Sequence, residues 1–327
     1  MEKVIVIGAT VLDVILKSKG LKVVKGHEVP GGVAICEMIG GKLEAEEDMV
    51  ASGGGGTNVA VGLHRLGEAV KMISRIGSDD LGEVMKKQLE KEGLDLSLLQ
   101  QGKGKTGLSV VLVSPDGGRS IVTYRGESAS IQTTEIDWEE IKKADWIQVS
   151  SLGGEMDFLE DLVAFALNKG IKIGLNPGKK ELDQKERLLK LLPKLDLFII
   201  NRMEASALVE VDFEEEEKLV KKMAELGMRR SVITDGKRGA GLLINRNWLK
   251  MKAFPVVSVD DTGAGDAFVA GMVAGILQNK NPADILKMGL ANGGSQVTKM
   301  GAKDGLLYKE EMARWLGKKL KMVEEVV

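Results

Sequence analysis

Cysteine is nearly absent: Cys36 is the only one in 327 residues. An internal disulfide framework is therefore impossible, and a reducing, cytoplasmic setting is expected. Histidine is almost as scarce, with only His27 and His64, which argues against a Cys/His transition-metal site. Aromatic residues make up 4% of the chain, little for a base-stacking pocket, although aliphatic side chains can serve there. There is no long basic run, and the formal net charge is -2, so no nucleic-acid partner is expected. No apolar run reaches membrane length. Residues 4–7 are too short for a signal-peptide core and read as a first strand. Internal repeats, low-complexity segments and a clear linker are missing too. What remains, 43% hydrophobic and 29% charged, is an ordinary globular composition with ample core.

Glycine, by contrast, is plentiful and clustered. The string Asp260-Asp261-Thr262-Gly263-Ala264-Gly265-Asp266-Ala267-Phe268 sets a carboxylate in a small-residue loop. Gly263, Ala264 and Gly265 allow a tight turn and leave backbone N–H groups uncovered. The stretch 267–279 carries no charge and is apolar on every side, as in a buried helix. Free N–H groups and the helix dipole at such a terminus attract an anion, most often phosphate. A carboxylate there does not bind the phosphate, because like charges repel. Its natural task is to take a proton from a hydroxyl that attacks phosphorus. The plainer alternative for Asp266 is a helix cap or dipole partner. The whole string, Asp-x-x-Gly-Ala-Gly-Asp-x-Phe, resembles the C-terminal signature of the ribokinase-like (PfkB) carbohydrate kinases. Asp261 stands where many members carry Thr or Ser.

A second glycine cluster, Ser52-Gly53-Gly54-Gly55-Gly56-Thr57-Asn58, precedes a helix expected over 59–66. It reads as a hinge or as a backbone surface close to a ligand. It resembles the family's N-terminal signature, Gly-Gly-x-x-x-Asn-x-Ala, which implies that Gly53, Gly54 and Asn58 bind sugar hydroxyls. Asp13 lies just past the first strand, where α/β sheets bind ligands. A loop-capping role suits it equally, and the resemblance implies a substrate-binding Asp there.

Residues 14–50 hold brief β-like runs split by Gly31-Gly32 and Gly40-Gly41. Runs 108–113 and 120–124 flank a hairpin turn at Pro115-Asp116-Gly117-Gly118. About 14–50 and 106–125 are expected to form a small β-sheet lid on a single domain spanning 1–327. In the family such a lid covers the sugar and often carries the contact of a homodimer. Further on, strands near 72–76, 146–149, 171–175, 197–200 and 231–234 alternate with helices near 157–168, 183–192, 203–209 and 213–226. That βαβ rhythm predicts an α/β fold with a mostly parallel sheet covered on both faces. The resemblance makes it the ribokinase-like three-layer α/β/α fold. A helix over 282–300, a terminal helix over 309–319 and a solvated tail complete the chain.

The resemblance also distributes roles for ATP and Mg²⁺. Asn201 and Glu204 have capping-box spacing; in the family they lie near the triphosphate and Mg²⁺, the Glu acting through water. Thr234, Gly236 and Gly239 form a glycine turn, which is a nucleotide contact in relatives. Asn292 precedes Gly293-Gly294 inside a helix that borders adenine in relatives. Some members hold a monovalent cation such as K⁺ near the position of Asp260. Arg125 is either a surface residue or a contact for an anionic substrate group. Glu127-Ser128 replaces the Gly-Ala-Asn pattern of several sugar kinases, and Ser150-Ser151 end a strand near the sugar site without an acid.

The expected activity is transfer of the γ-phosphoryl of ATP to a hydroxyl of a small sugar-like acceptor. Asp266 is the expected base and the Gly263, Ala264 and Gly265 amides the anion hole. A neutral pentose or hexose ranks first, then a nucleoside, then a sugar phosphate or sugar acid. A catalytically silent sugar- or nucleotide-binding regulator is the non-enzyme alternative, and the intact Asp266 speaks against it. A nicotinamide-dependent dehydrogenase would want Gly-x-Gly-x-x-Gly after the first strand, and Gly8-Ala9-Thr10-Val11-Leu12-Asp13 lacks it.

Overall fold

Strand Lys3–Ile7 shows how the sequence builds the layers. It is buried along Val4 to Ile7. Val4 and Val6 join one hydrophobic core, while Ile5 and Ile7 join another on the opposite face. Apolar side chains on both faces are what a parallel sheet covered by helices requires. The computed structural model describes residues 3–26, 33–36, 40–115, 118–129 and 131–327. Gly31-Gly32 and the centre of the expected hairpin turn, Asp116-Gly117, lie outside the described residues.

Lys3–Ile7 is part of a nine-stranded sheet. Its parallel portion runs Ala69–Ile73, Lys3–Ile7, Trp146–Val149, Lys172–Leu175, Leu197–Asn201, Arg230–Thr234. Ala240–Ile244, Asn247–Met251 and Met322–Val326 then continue it in antiparallel register. A separate four-stranded sheet is formed by Arg119–Tyr124, Leu108–Val113, Val11–Lys17 and Glu47–Gly53, in that order. Lys22–Lys25 pairs with Val33–Cys36 as a small hairpin inside the excursion. No helix among the described residues is long and apolar enough to cross a membrane.

Several boundaries differ from expectation. The N-terminal helix runs Gly55–Arg65 and so begins inside the glycine cluster. The expected strand 72–76 divides into Ala69–Ile73 and Arg75–Gly77. Helix Pro282–Gln296 stops short of Met300, which places Gly293-Gly294 in its last turn. The terminal helix ends at Leu316, and the expected solvated tail instead adds strand Met322–Val326 to the edge of the large sheet.

Helix Ala264–Leu277 is buried from Ala267 onward, which explains its lack of a polar face. It packs against Gly55–Arg65 and Pro282–Gln296. Two glycines permit that closeness. A Cβ at Gly62 would lie 2.7 Å from the Ala270 Cβ, and one at Gly271 would lie 2.4 Å from the Met288 carbonyl oxygen. The second neighbour is backbone and cannot rotate away. We therefore expect Gly271→Ala to destabilise the protein by roughly 1–3 kcal/mol through overpacking. Urea titration checks this, and an unchanged midpoint would refute the close-packing account.

Candidate active site

The four consecutive glycines each meet a different neighbour. A Cβ at Gly53 would strike the Asp13 carboxylate, with Oδ2 at 2.0 Å. Gly54 has φ 90° and lies against the Ala9 carbonyl and Thr10 Cα, so it needs both the left-handed region and the missing side chain. Gly55 lies beside Ser150 and the Asp266 carboxylate, and Gly56 is packed on the Gly8 backbone. A hinge is thereby excluded: the run is a surface pressed against the end of the first strand. From it Asn58, 4% exposed, donates through Nδ2 to Asp266 Oδ2 at 2.8 Å. The buried Asn58 Oδ1 and Ser150 Oγ have no partner among the described residues.

At the other signature, Gly263 takes φ 74° and caps the helix, its Cα too close to Ala302 for a side chain. The Ala264 N–H turns back to the Asp261 carbonyl at 3.3 Å. The N–H groups of Gly265 and Asp266 make no hydrogen bond among the described residues. Of the expected Gly263–Gly265 set, the Gly263 and Gly265 N–H groups are uncovered among the described residues; only the Ala264 N–H is taken, and that of Asp266 adds a further free donor. Burial raises the pKa of Asp266 above the ordinary carboxylate value, and the Asn58 hydrogen bond opposes the rise.

Asp13 sits on Val11–Lys17, between Ala51 and Ser109 of its neighbouring strands. Burial pushes its pKa up to about 6, against a hydrogen bond with Ser109 and the positive charge of Lys303. Lys303, 6% exposed, reaches the Ser52 carbonyl and, at 2.5 Å, the Ser52 hydroxyl. Burial lowers its pKa to about 8. The sequence reading missed Lys303. Its only signal was a charge between two glycine-bearing turns, which also describes a solvated loop.

A cleft of about 360 Å³ adjoins these elements. Gly8, Thr10, Gly54 and Gly55 form one part of its wall, and Arg125 and Ser128 from beyond the small sheet form another. Glu127 does not replace a sugar contact. Arg75 holds it at 2.8 Å and the Gly104 N–H at 2.8 Å, which pins the segment after Tyr124.

The expected nucleotide residues divide. Asn201 and Glu204 form the reciprocal capping box, with both bonds at 2.9 Å. That leaves Glu204 Oε1 without a partner among the described residues. Burial raises the Glu204 pKa, with the Asn201 bonds opposing. Thr234 is half-buried and Gly236 is exposed, with φ 51°. Gly239 has φ 110° and is packed on the Met251 carbonyl, so it shapes the turn rather than facing a ligand. Asn292 is a correction as well. It is fully buried, donates to the Ala267 carbonyl at 2.7 Å and accepts from the Leu307 N–H at 2.9 Å. Both ends of its amide are used inside the protein. Asp260 accepts from Thr262 and from the Gly301 N–H, and pairs with Arg119 of the small sheet at 2.5 Å. A guanidinium therefore already faces the carboxylate expected to attract a monovalent cation. Arg119 was overlooked because nothing local links it to a residue 141 positions away.

Comparison with known proteins identifies the family and the fold. The family model described as pfkB family carbohydrate kinase matches residues 1–308. A ribokinase of Haemophilus influenzae is 29% identical over 85% of this chain and 91% of its own length. A 2-dehydro-3-deoxygluconokinase of Bacillus subtilis is 28% identical over 85% of this chain and 90% of its own. The structure of Arabidopsis thaliana ribokinase complexed with ribose and ATP superposes with TM-score 0.78 at 20% identity, covering 97% of this chain and 99% of that one.

Asp13 gives a pH prediction. Its folded-state pKa is about 6, against an ordinary value of 3.8. Between those pH values the folded protein holds a proton that the unfolded chain has lost, so stability falls as pH rises through the window. Above it the buried carboxylate costs about 2–3 kcal/mol. Asp13→Asn should therefore raise the melting temperature at pH 7.5 and leave it nearly unchanged at pH 4. An equal shift at both values would show that the charge is not the cause.

Proposed function

Because this chain belongs to the pfkB family of carbohydrate kinases, we propose that it transfers the γ-phosphoryl of ATP to a hydroxyl of an acceptor of pentose or hexose size, with Asp266 as the base. The observation that carries this reading is the Asn58–Asp266 pair. It joins the two glycine signatures beside the cleft and leaves one carboxylate oxygen, Oδ1, without a hydrogen-bond partner among the described residues. Among the described residues no aromatic side chain lines the cleft, which disfavours a nucleoside base stacked in it.

In the reaction, the acceptor oxygen bonds to the γ-phosphorus while the bond from that phosphorus to the β–γ bridging oxygen breaks, and ADP leaves. Asp266 takes the hydroxyl proton as the new bond forms, and its raised pKa suits a group that must accept one. The free N–H groups of Gly263, Gly265 and Asp266 hold charge on the migrating phosphoryl, at a helix terminus whose dipole favours anions. Asp13, beside Gly53, and Asn58 hold acceptor hydroxyls. ATP contacts fall to Asn201, Thr234 and Gly236. Mg²⁺ suits one carboxylate reached through water: Glu204 has an uncommitted oxygen, and the ion would offset phosphate charge. K⁺ has no assigned role, since Arg119 faces Asp260.

We also read the small sheet as the contact of a homodimer. Its edge strand Arg119–Tyr124 is exposed throughout, with Ile121, Val122 and Tyr124 at 50%, 68% and 57% exposure. An open apolar edge invites a second chain.

Two measurements test these readings. Asp266→Asn should lower kcat by about 10²–10⁴-fold, the range of a lost general base, with acceptor binding retained in calorimetry. Near-normal turnover would refute the assignment. Light scattering should give a dimer that Val122→Glu converts to monomer, and a monomeric wild-type protein would end the dimer reading.

A further inference from the structure

The charge of the cleft wall is uneven. Its lining includes Arg75, Arg125 and Lys179 and, among the described residues, no acidic side chain. The three cations are not equivalent. Arg75 is 9% exposed and is paired with Glu127 at 2.8 Å and Glu135 at 3.1 Å, so its charge is answered within the protein. Among the described residues Lys179 pairs only with Asp183, both side chains being largely in water, where an ion pair contributes little. Arg125 is exposed and makes no ion pair or side-chain hydrogen bond among the described residues. The pairing of Arg75 with Glu127 fixes the segment that follows Arg125, so the free guanidinium is carried on an anchored backbone.

Uncommitted donors lie near these charges. Ser74 lines the cleft and is fully buried, and its Oγ has no partner among the described residues. Ser150, 2% exposed, has an unpartnered Oγ beside Gly8 and Gly55. The strand that ends at Ser150-Ser151 supplies no acid. The buried acid nearest that turn, Glu181, is consumed by the Ser151 hydroxyl and by the N–H groups of Leu152, Gly154 and Gly178. Apart from Asp13 and Asp266 beside Gly53 and Gly55, the described wall offers two available cations and hydroxyl groups but no further carboxylate, and so few acceptors for the remaining hydroxyls of a neutral polyol. It is rich in what an oxyanion needs.

We propose that the phosphate acceptor carries an anionic oxyacid group, a carboxylate or a phosphate, and that Arg125 with Lys179 binds it while a hydroxyl elsewhere on the molecule meets Asp266. This rests on the kinase reading and sharpens it. The sequence alone ranks a neutral sugar first; the charges gathered around the cleft reverse that order. Arg125 is a specificity residue here, since an anion held at the wall fixes which hydroxyl reaches the base.

The test measures ADP release and, separately, calorimetric binding with ribose and fructose as neutral acceptors, 2-keto-3-deoxygluconate as the carboxylate and fructose 6-phosphate as the phosphate. At least one anionic acceptor should exceed both neutral sugars in kcat/KM, with a KM that rises with added salt. Comparing the two anions distinguishes carboxylate from phosphate. Arg125→Gln should raise KM for the preferred anion about 10- to 100-fold, the loss expected for a charge-assisted hydrogen bond, with kcat and the neutral-sugar constants little changed. Lys179→Gln should act in the same direction by a smaller factor. Neutral sugars phosphorylated as well as the anions, or an Arg125→Gln variant with unaltered KM, would overturn the proposal and leave the kinase reading intact. ADP release with none of the acceptors would count against both.

Discussion

The hydrogen bond from Asn58 to Asp266 closes the site across 208 residues of sequence. It can form only if helix Gly55–Arg65 and helix Ala264–Leu277 start side by side. That arrangement depends on backbone approaching backbone. Gly56 is pressed on Gly8, Gly62 on Ala270, and Gly263 on Ala302. A methyl group would push Gly56 off the end of the first strand, Gly62 off the partner helix, or Gly263 off the backbone at Ala302, and so displace one helix start or the other. The carboxylate would then lose the amide that orients it, with the fold otherwise intact. Glycine acts here as a spacer of zero thickness, and the positive φ angles at Gly54 and Gly263 are a second requirement at the same points.

Opposed to this close packing is the cost of the charged groups it buries. Asp13, Asp266 and Glu204 all have pKa values raised by burial, and that of Lys303 is lowered by it. Each is less stable as an ion here than in water. Glu181 is provided for differently: it is 1% exposed and collects four hydrogen bonds. The contrast separates acids that hold the fold from acids left short of partners. Unmet demand of that kind is what a ligand's hydroxyls satisfy.

Sequence reasoning found the two signatures because each is local: a glycine run and its polar residue lie within ten positions. It found the parallel sheet because buried strands read as short apolar runs between helical segments. It failed where partners are distant. Arg119 with Asp260, Arg75 with Glu127 and Lys303 with Ser52 depend on the register of the small sheet and on loops that only tertiary packing places. The same blindness assigned Asn292 to a ligand, because a buried bracket and a binding amide look alike in sequence. The helix start was misplaced because glycine's low helix propensity was weighed alone. Tertiary contact at Gly55 and Gly56 overrides it.

The small sheet is bound to the rest of the site unevenly. Val11–Lys17 and Glu47–Gly53 are continuous with the first strand's exit and the glycine run, so their positions follow from covalent connection and ladder hydrogen bonds. Leu108–Val113 and Arg119–Tyr124 are attached through one parallel and one antiparallel ladder. Arg119 reaches from the outermost strand to Asp260 and Thr262, but its side chain is 37% exposed, where an ion pair contributes at most about 1 kcal/mol. Arg119 therefore cannot be what holds the sheet in place. The antiparallel ladder with Leu108–Val113 fixes which face of the outer strand is turned toward the signature loop; Arg119 lies on that face, and Arg125 follows directly on the end of the same strand.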